Sequence, residues 1–123
     1  MDRSKVLASL SALSNEARLD LMRLLVVAGD AGLAAGKIGA ELGQSASRLS
    51  FHLGILEQAG LIRSRRAARN VIYSADFEGL GGTISYLLRD CCNDHPRVHA
   101  CCNRLQPQVA DIPFPQPIPI PQE

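Results

Sequence analysis

The chain has 123 residues, with 13 Lys and Arg against 12 Asp and Glu, and four cysteines. That length suits one domain with a modest core and leaves no room for several, and a net charge of +1 gives no overall bias toward polyanions. No run approaches the roughly 18 apolar residues of a membrane span, and Met-Asp-Arg-Ser-Lys lacks the charged-then-apolar plan of a secretory signal. The expectation is a cytoplasmic protein that makes no use of a membrane. Thiols stay reduced there, so the cysteines point to metal or redox chemistry more than to a disulfide framework.

In chain order, Val6, Leu7, Leu10 and Leu13 predict a short amphipathic helix, too short to stand alone. A second helix opens at Ser14-Asn15-Glu16, where Ser14 or Asn15 can cap and Glu16 suits the positive helix end. Leu19, Leu21, Met22, Leu24, Leu25 and Val26 make it apolar on most sides, the expected centre of the core. Gly29-Asp30-Ala31-Gly32 breaks the pattern. A third helix of small residues is expected from Ala34 to Leu42, with Ile38 and Leu42 inward and Gly43 ending it.

From Gly43 to Gly60 the sequence reads as one further helix, with Ser45 as N-cap and Gly60 just past the end. Leu49, Leu53 and Leu56 fill one face. The other carries Gln44, Ser45, Ser47, Arg48, Ser50, Phe51 and His52, hydrogen-bonding or small groups that suit a helix in the major groove of DNA. An ordinary surface helix is the alternative. The short glycine-containing turn between these two helices is a helix-turn-helix signature.

After Gly60 the period changes to alternation. Residues 61–66 and 70–74 are β-type runs around Ala67-Ala68-Arg69, a hairpin with arginines on and near its tip. Arg63, Arg65, Arg66 and Arg69 would meet phosphates or the minor groove beside the helix. A solvated edge hairpin is the alternative. Between Gln44 and Ala75 five arginines face one glutamate, Glu57, a net charge of +4 on that segment. The basic charge is local, as a nucleic-acid footprint requires.

Leu13-Ser14-Asn15-Glu16-Ala17-Arg18-Leu19, Ser45 through His52-Leu53, Leu56, Ala59-Gly60-Leu61-Ile62, Arg65-Arg66, Arg69 and Tyr73 occur in an order that resembles the ArsR/SmtB family of bacterial winged-helix repressors. The resemblance covers roughly residues 4 to 92. It implies a mainly α fold with a small β-hairpin wing, a winged helix-turn-helix that is homodimeric through its first and last helices. It also implies a non-enzymatic repressor of double-stranded operator DNA, released when a metal or metalloid binds. Two departures stand out. Ala67-Ala68 replace a usual glycine at the wing tip, and the third helix lacks the cysteines that form the arsenic site in the best-known members.

Asp76 can cap a fifth helix with an apolar stripe of Phe77, Leu80, Ile84, Leu87 and Leu88, and Cys91 falls seven residues after Ile84 on the same stripe. Asp94 is expected to cap a further turn that Pro96 is free to start. Cys91, Cys92, Cys101 and Cys102, with His95 and His99 between the pairs, use every cysteine of the chain within twelve positions. Thiolates are soft ligands for arsenic(III), antimony(III) and copper(I), and for zinc in four-coordinate sites. Some arsenic sensors of the family carry a Cys-Cys pair at the end of the last helix and a third cysteine several residues on. That likeness implies an arsenic(III) or antimony(III) effector on Cys91, Cys92 and one of Cys101 or Cys102. A zinc site, a thiol-redox switch, buried structural cysteines, or a metal-buffering module without DNA binding are the competing readings. The expected division is residues 1–92 for DNA binding and dimerisation, 91–104 for the effector, and a proline-rich tail, 105–123, that is extended or disordered.

Overall fold

The computed structural model describes residues 2–103, so the tail expected over 105–123 lies outside the described residues. The chain forms two compact units, Met1–Leu87 and a second that begins at Leu88.

In the first unit, α1 (Arg3–Leu13) opens on Asp2, whose carboxylate accepts the Lys5 N–H at 2.9 Å. It buries Val6, Ser9 and Ala12, while Leu7 and Leu10 of the expected apolar face are exposed. α2 (Glu16–Ala28) is capped by Asn15 rather than Ser14, its side chain accepting the Arg18 N–H at 3.1 Å. Leu21, Met22 and Leu25 are buried, but Leu19, Val26 and Val27 are exposed, Val27 to 86%. The helix is apolar on most sides yet buries only one.

A 3₁₀ turn (Gly29–Ala31) leads into β1 (Leu33–Ala34), and α3 then runs Ala35–Leu42, one residue later than expected. Gly43, left-handed at φ +64°, ends it. α4 (Ala46–Gln58) follows, capped by Ser45, whose hydroxyl accepts the Arg48 N–H at 3.3 Å. Leu49, Leu53 and Leu56 turn inward as their spacing predicts.

The expected hairpin is β2 (Ile62–Ala67) and β3 (Asn70–Ala75), antiparallel from Ile62↔Ala75 to Ala67↔Asn70. β1 adds to its other edge, with Leu33 opposite Tyr73, giving a three-stranded sheet in the order β1-β3-β2. At two residues β1 is too short to show any alternation. α5 (Phe77–Tyr86) completes the unit, its first turn held by Asp76, which accepts the Gly79 N–H at 3.0 Å.

Leu21, Leu25, Ile38, Leu56, Leu61 and Ile62 are fully buried, so α2, α3, α4 and β2 share one core. Truncating such a residue, as in Leu56→Ala, costs about 2–5 kcal/mol from reduced burial plus the cavity left behind. Ser9 on α1 is also buried and donates its hydroxyl to the Ala59 carbonyl at 3.4 Å.

The chain passes through a π-helical turn, Leu87–Cys91, and on to α6 (Pro96–Asn103). The i→i+5 ladder of a π turn departs from the α-helical register that a seven-residue spacing from Ile84 to Cys91 presumes. Among the described residues no helix is long and apolar enough to cross a membrane.

Candidate nucleic-acid interface and thiol segment

The N-terminal half of α4 presents Ser47, Arg48, Ser50 and Phe51 as exposed residues on a helix whose opposite side is locked into the core. Phe51 is 63% exposed and meets His52 edge to face, with ring centroids 5.5 Å apart. Two predicted DNA-facing residues, Ser45 and His52, have structural partners as well, and a third, Gln44, lies behind the helix. Ser45 uses its hydroxyl as the helix cap. Gln44 lines a cleft behind the helix, with Oε1 buried and unpartnered among the described residues. His52 Nδ1 lies 3.1 Å from Arg18 Nη1.

Arg18 has a role that no local pattern in the sequence announces. Its Nε donates to the Ala12 carbonyl at 2.6 Å and its Nη1 to His52, so one guanidinium joins the end of α1 to α4. Since arginine can only donate, His52 Nδ1 must accept and the neutral ring carries its proton on Nε2. Burial and the charges of Arg18 and Arg48 hold the His52 pKa below its ordinary value.

Strand alternation divides the wing arginines. Arg63 and Arg65 share one face and Ser64 and Arg66 the other. Ser64 donates to Glu57 Oε2 at 2.7 Å, tying the wing to the end of α4 and occupying the one acidic side chain of the basic segment. On the other face, Arg65 donates to the Ala31 carbonyl at 3.0 Å, and Arg63 and Arg65 line a cleft of about 500 Å³ that also holds Asp30 and Glu78. Arg66 and Arg69 are not among the residues lining that cleft. The tip turns at Ala68, left-handed at φ +58°, the position where the glycine is missing.

In the second unit all four cysteines carry thiols not joined in disulfides, with Cys91, Cys101 and Cys102 exposed. Cys92 hydrogen-bonds Cys91, and that bond, burial and the Cys91 charge together push the Cys92 thiol above its ordinary range. Asn93 and Asp94 both turn left-handed at φ +52°, and His95 N donates to the Cys92 carbonyl at 2.9 Å. Asp94 does not cap α6. It lies 2.9 Å from His99 Nε2, while His95 Nδ1 accepts the Arg97 N–H at 3.1 Å. Both histidines therefore have partners within the segment. The donor chemistry fits a thiophilic ion, but among the described residues no three His, Cys, Asp or Glu side chains converge as a metal-binding group.

A helix-turn-helix domain family model matches residues 13–65. The transcriptional activator HlyU of Vibrio cholerae is 33% identical over 72% of this chain and 80% of its own length. The chain belongs to the ArsR/SmtB family of winged helix-turn-helix regulators. The HTH-type regulator YgaV of Escherichia coli is 35% identical over 69% of this chain and 84% of its own. Among solved structures, an ArsR-like regulator from Rhodococcus sp. RHA1 superposes with a TM-score of 0.66 at 25% identity, over 84% of this chain and 93% of that one. The homodimeric winged helix-turn-helix domain Mb0332 of Mycobacterium bovis gives 0.57 at 25% identity, over 78% and 84%. These relatives are transcription regulators, and this ArsR/SmtB-family chain is a transcription regulator with a DNA-binding fold rather than an enzyme.

Proposed function

We propose that this ArsR/SmtB-family protein is a cytoplasmic repressor that binds two-fold symmetric operator DNA as a homodimer and lets go when arsenic(III) or antimony(III) is captured by its cysteines. The observation that carries the DNA reading is α4 itself. It is capped and buried on one side, with Ser47, Arg48, Ser50 and Phe51 outward and the arginine wing tied to its end through Ser64 and Glu57. In a dimer the two recognition helices would lie about 34 Å apart, one turn of DNA.

Apolar side chains left outside the core support dimerisation. Leu7 and Leu10 on α1 and Phe77 and Ile84 on α5 are exposed, and α1 packs directly against α5. These are the two helices through which the family dimerises.

Cys91 closes the π turn that follows α5 and Cys92 comes next, and with Cys101 or Cys102 they offer the three thiolates that trivalent arsenic takes. Two adjacent thiolates repel each other, and a captured cation removes that penalty. The effector needs only to favour the dimer arrangement with mismatched recognition helices, by about 1 to 3 kcal/mol of coupling. A thiol-redox regulator of the same fold is the second reading, supported by the same thiols and by the description of a reduced form of V. cholerae HlyU. A mobility-shift assay on the DNA flanking its own gene, repeated with arsenite, antimonite, zinc and an oxidant, separates these readings. Binding with release by arsenite or antimonite supports the proposal. No binding, or release by zinc or the oxidant alone, overturns it.

A further inference from the structure

A cleft of about 410 Å³ lies behind the recognition helix, between α3, α4 and β3. This is within the roughly 300–1,000 Å³ range of small-molecule sites. One wall is the face of α3 made by Ala35, Gly36, Gly39 and Ala40, and the others include Leu49, Leu53 and Tyr73. A helix face without long side chains is a flat apolar wall, against which a planar ring can lie at full contact. Gly36 leaves real room, because a Cβ built there would meet no atom within 4 Å.

Polar side chains along the cleft are Gln44, Ser50 and Tyr73, and of these Gln44 carries a buried acceptor, Oε1, without a partner among the described residues. An unpaired buried acceptor costs about 1–3 kcal/mol, relieved when a donor reaches it. Rotation about the last side-chain torsion of glutamine is soft and can turn that oxygen toward the space its side chain lines. No charged residue lines the cleft, so an ionic ligand would have no partner there.

We propose that the α3/α4/β3 cleft is a binding site for a small, uncharged, planar apolar molecule with one hydrogen-bond donor, accepted by Gln44. The site requires neither the cysteines nor a metal, and it stands or falls independently of the operator reading. An occupant would contact Leu49 and Leu53 on the inner side of α4 and the exposed Ser50 at the rim, so occupancy and DNA affinity would be coupled reciprocally.

The test is an amide NMR titration of the full chain with indole, which carries a ring N–H, and with benzofuran, which has the same shape without the donor. Saturable shifts at Gly36, Gly39, Gln44 and Tyr73 are expected for indole, with benzofuran binding at least fivefold more weakly. Gly36→Leu, which puts a side chain into the cleft from a position where the added Cβ meets no atom within 4 Å, should abolish the shifts. Gln44→Leu should erase the difference between the two probes. Absence of saturable shifts at these residues overturns the proposal. So does equal binding of both probes to the unmodified protein, or full indole binding in Gly36→Leu.

Discussion

Gly79, in the first turn of α5, lies so close to Gly60 that a Cβ at position 79 would fall upon the Gly60 carbonyl oxygen. Gly60 itself is left-handed at φ +82°, in the turn that ends the recognition helix, and Asp76 N reaches back to the Leu61 carbonyl at 2.9 Å. The last helix of the first unit thus rests directly on the backbone that closes α4. This junction couples the start of α5 to the end of α4 by direct backbone contact. Gly79→Ala should lower stability by about 1–3 kcal/mol, as overpacking does. Gly54→Ala, on α4 with nothing within 4 Å of the added carbon, should be neutral or stabilising. Urea unfolding of both variants checks this, and equal midpoints would mean that the two glycines do not bear on each other.

The wing arginines should not behave alike. Arg66 shares the Ser64 face and Arg69 sits beside the tip, whereas Arg65 is held by the Ala31 carbonyl. Removing one arginine that neutralises a phosphate should reduce the slope of log affinity against log salt by about 0.9. Arg66→Ala and Arg69→Ala should each show that reduction, and Arg65→Ala a smaller one. Salt-dependent anisotropy on one duplex measures all three.

His52 should titrate below its ordinary value of 6.5, since burial and the charges of Arg18 and Arg48 oppose protonation. Its depressed folded-state pKa means that the unfolded chain binds the proton more readily. This contribution to stability is complete above pH 6.5 and is lost as pH falls through the folded value. Arg18→Met should move the NMR midpoint of the His52 ring upward. A midpoint at or above 6.5 in the unmodified protein would contradict the hydrogen bond from Arg18.

The exposed leucine and isoleucine on α1 and α5 should hold two copies together. Leu7→Asp with Ile84→Asp places charges where apolar surface must be desolvated, and sedimentation should then report a monomer that keeps its helical content. An unchanged dimer would move the interface elsewhere.

Periodicity and capping signals made the fold largely legible from the residues. Leu49, Leu53 and Leu56 at helical spacing, with Ser45 before them and Gly60 after, specify α4, and both its buried face and its cap are as expected. Long-range partners were hidden. Neither Arg18 bridging Ala12 and His52 nor Ser64 reaching Glu57 leaves a local pattern, because each joins elements that the sequence keeps apart. The arginines were legible as a basic cluster, but strand alternation and the Ala31 carbonyl divide them. The missing wing glycine proved informative. Ala68 adopts the left-handed turn regardless, at a cost of about 1–2 kcal/mol that glycine would avoid. The π turn at Leu87–Cys91 could not be read from apolar spacing, which presumes an α-helical register throughout.

The most direct test of thiol control is arsenite titration of the protein–operator complex, followed by fluorescence anisotropy, for the unmodified chain and for Cys91→Ser with Cys92→Ser. Arsenite is expected to weaken DNA binding of the unmodified protein by about 5- to 150-fold and to leave the serine variant bound. Equal release of both proteins, or a complex indifferent to arsenite and antimonite, would contradict control by these thiols.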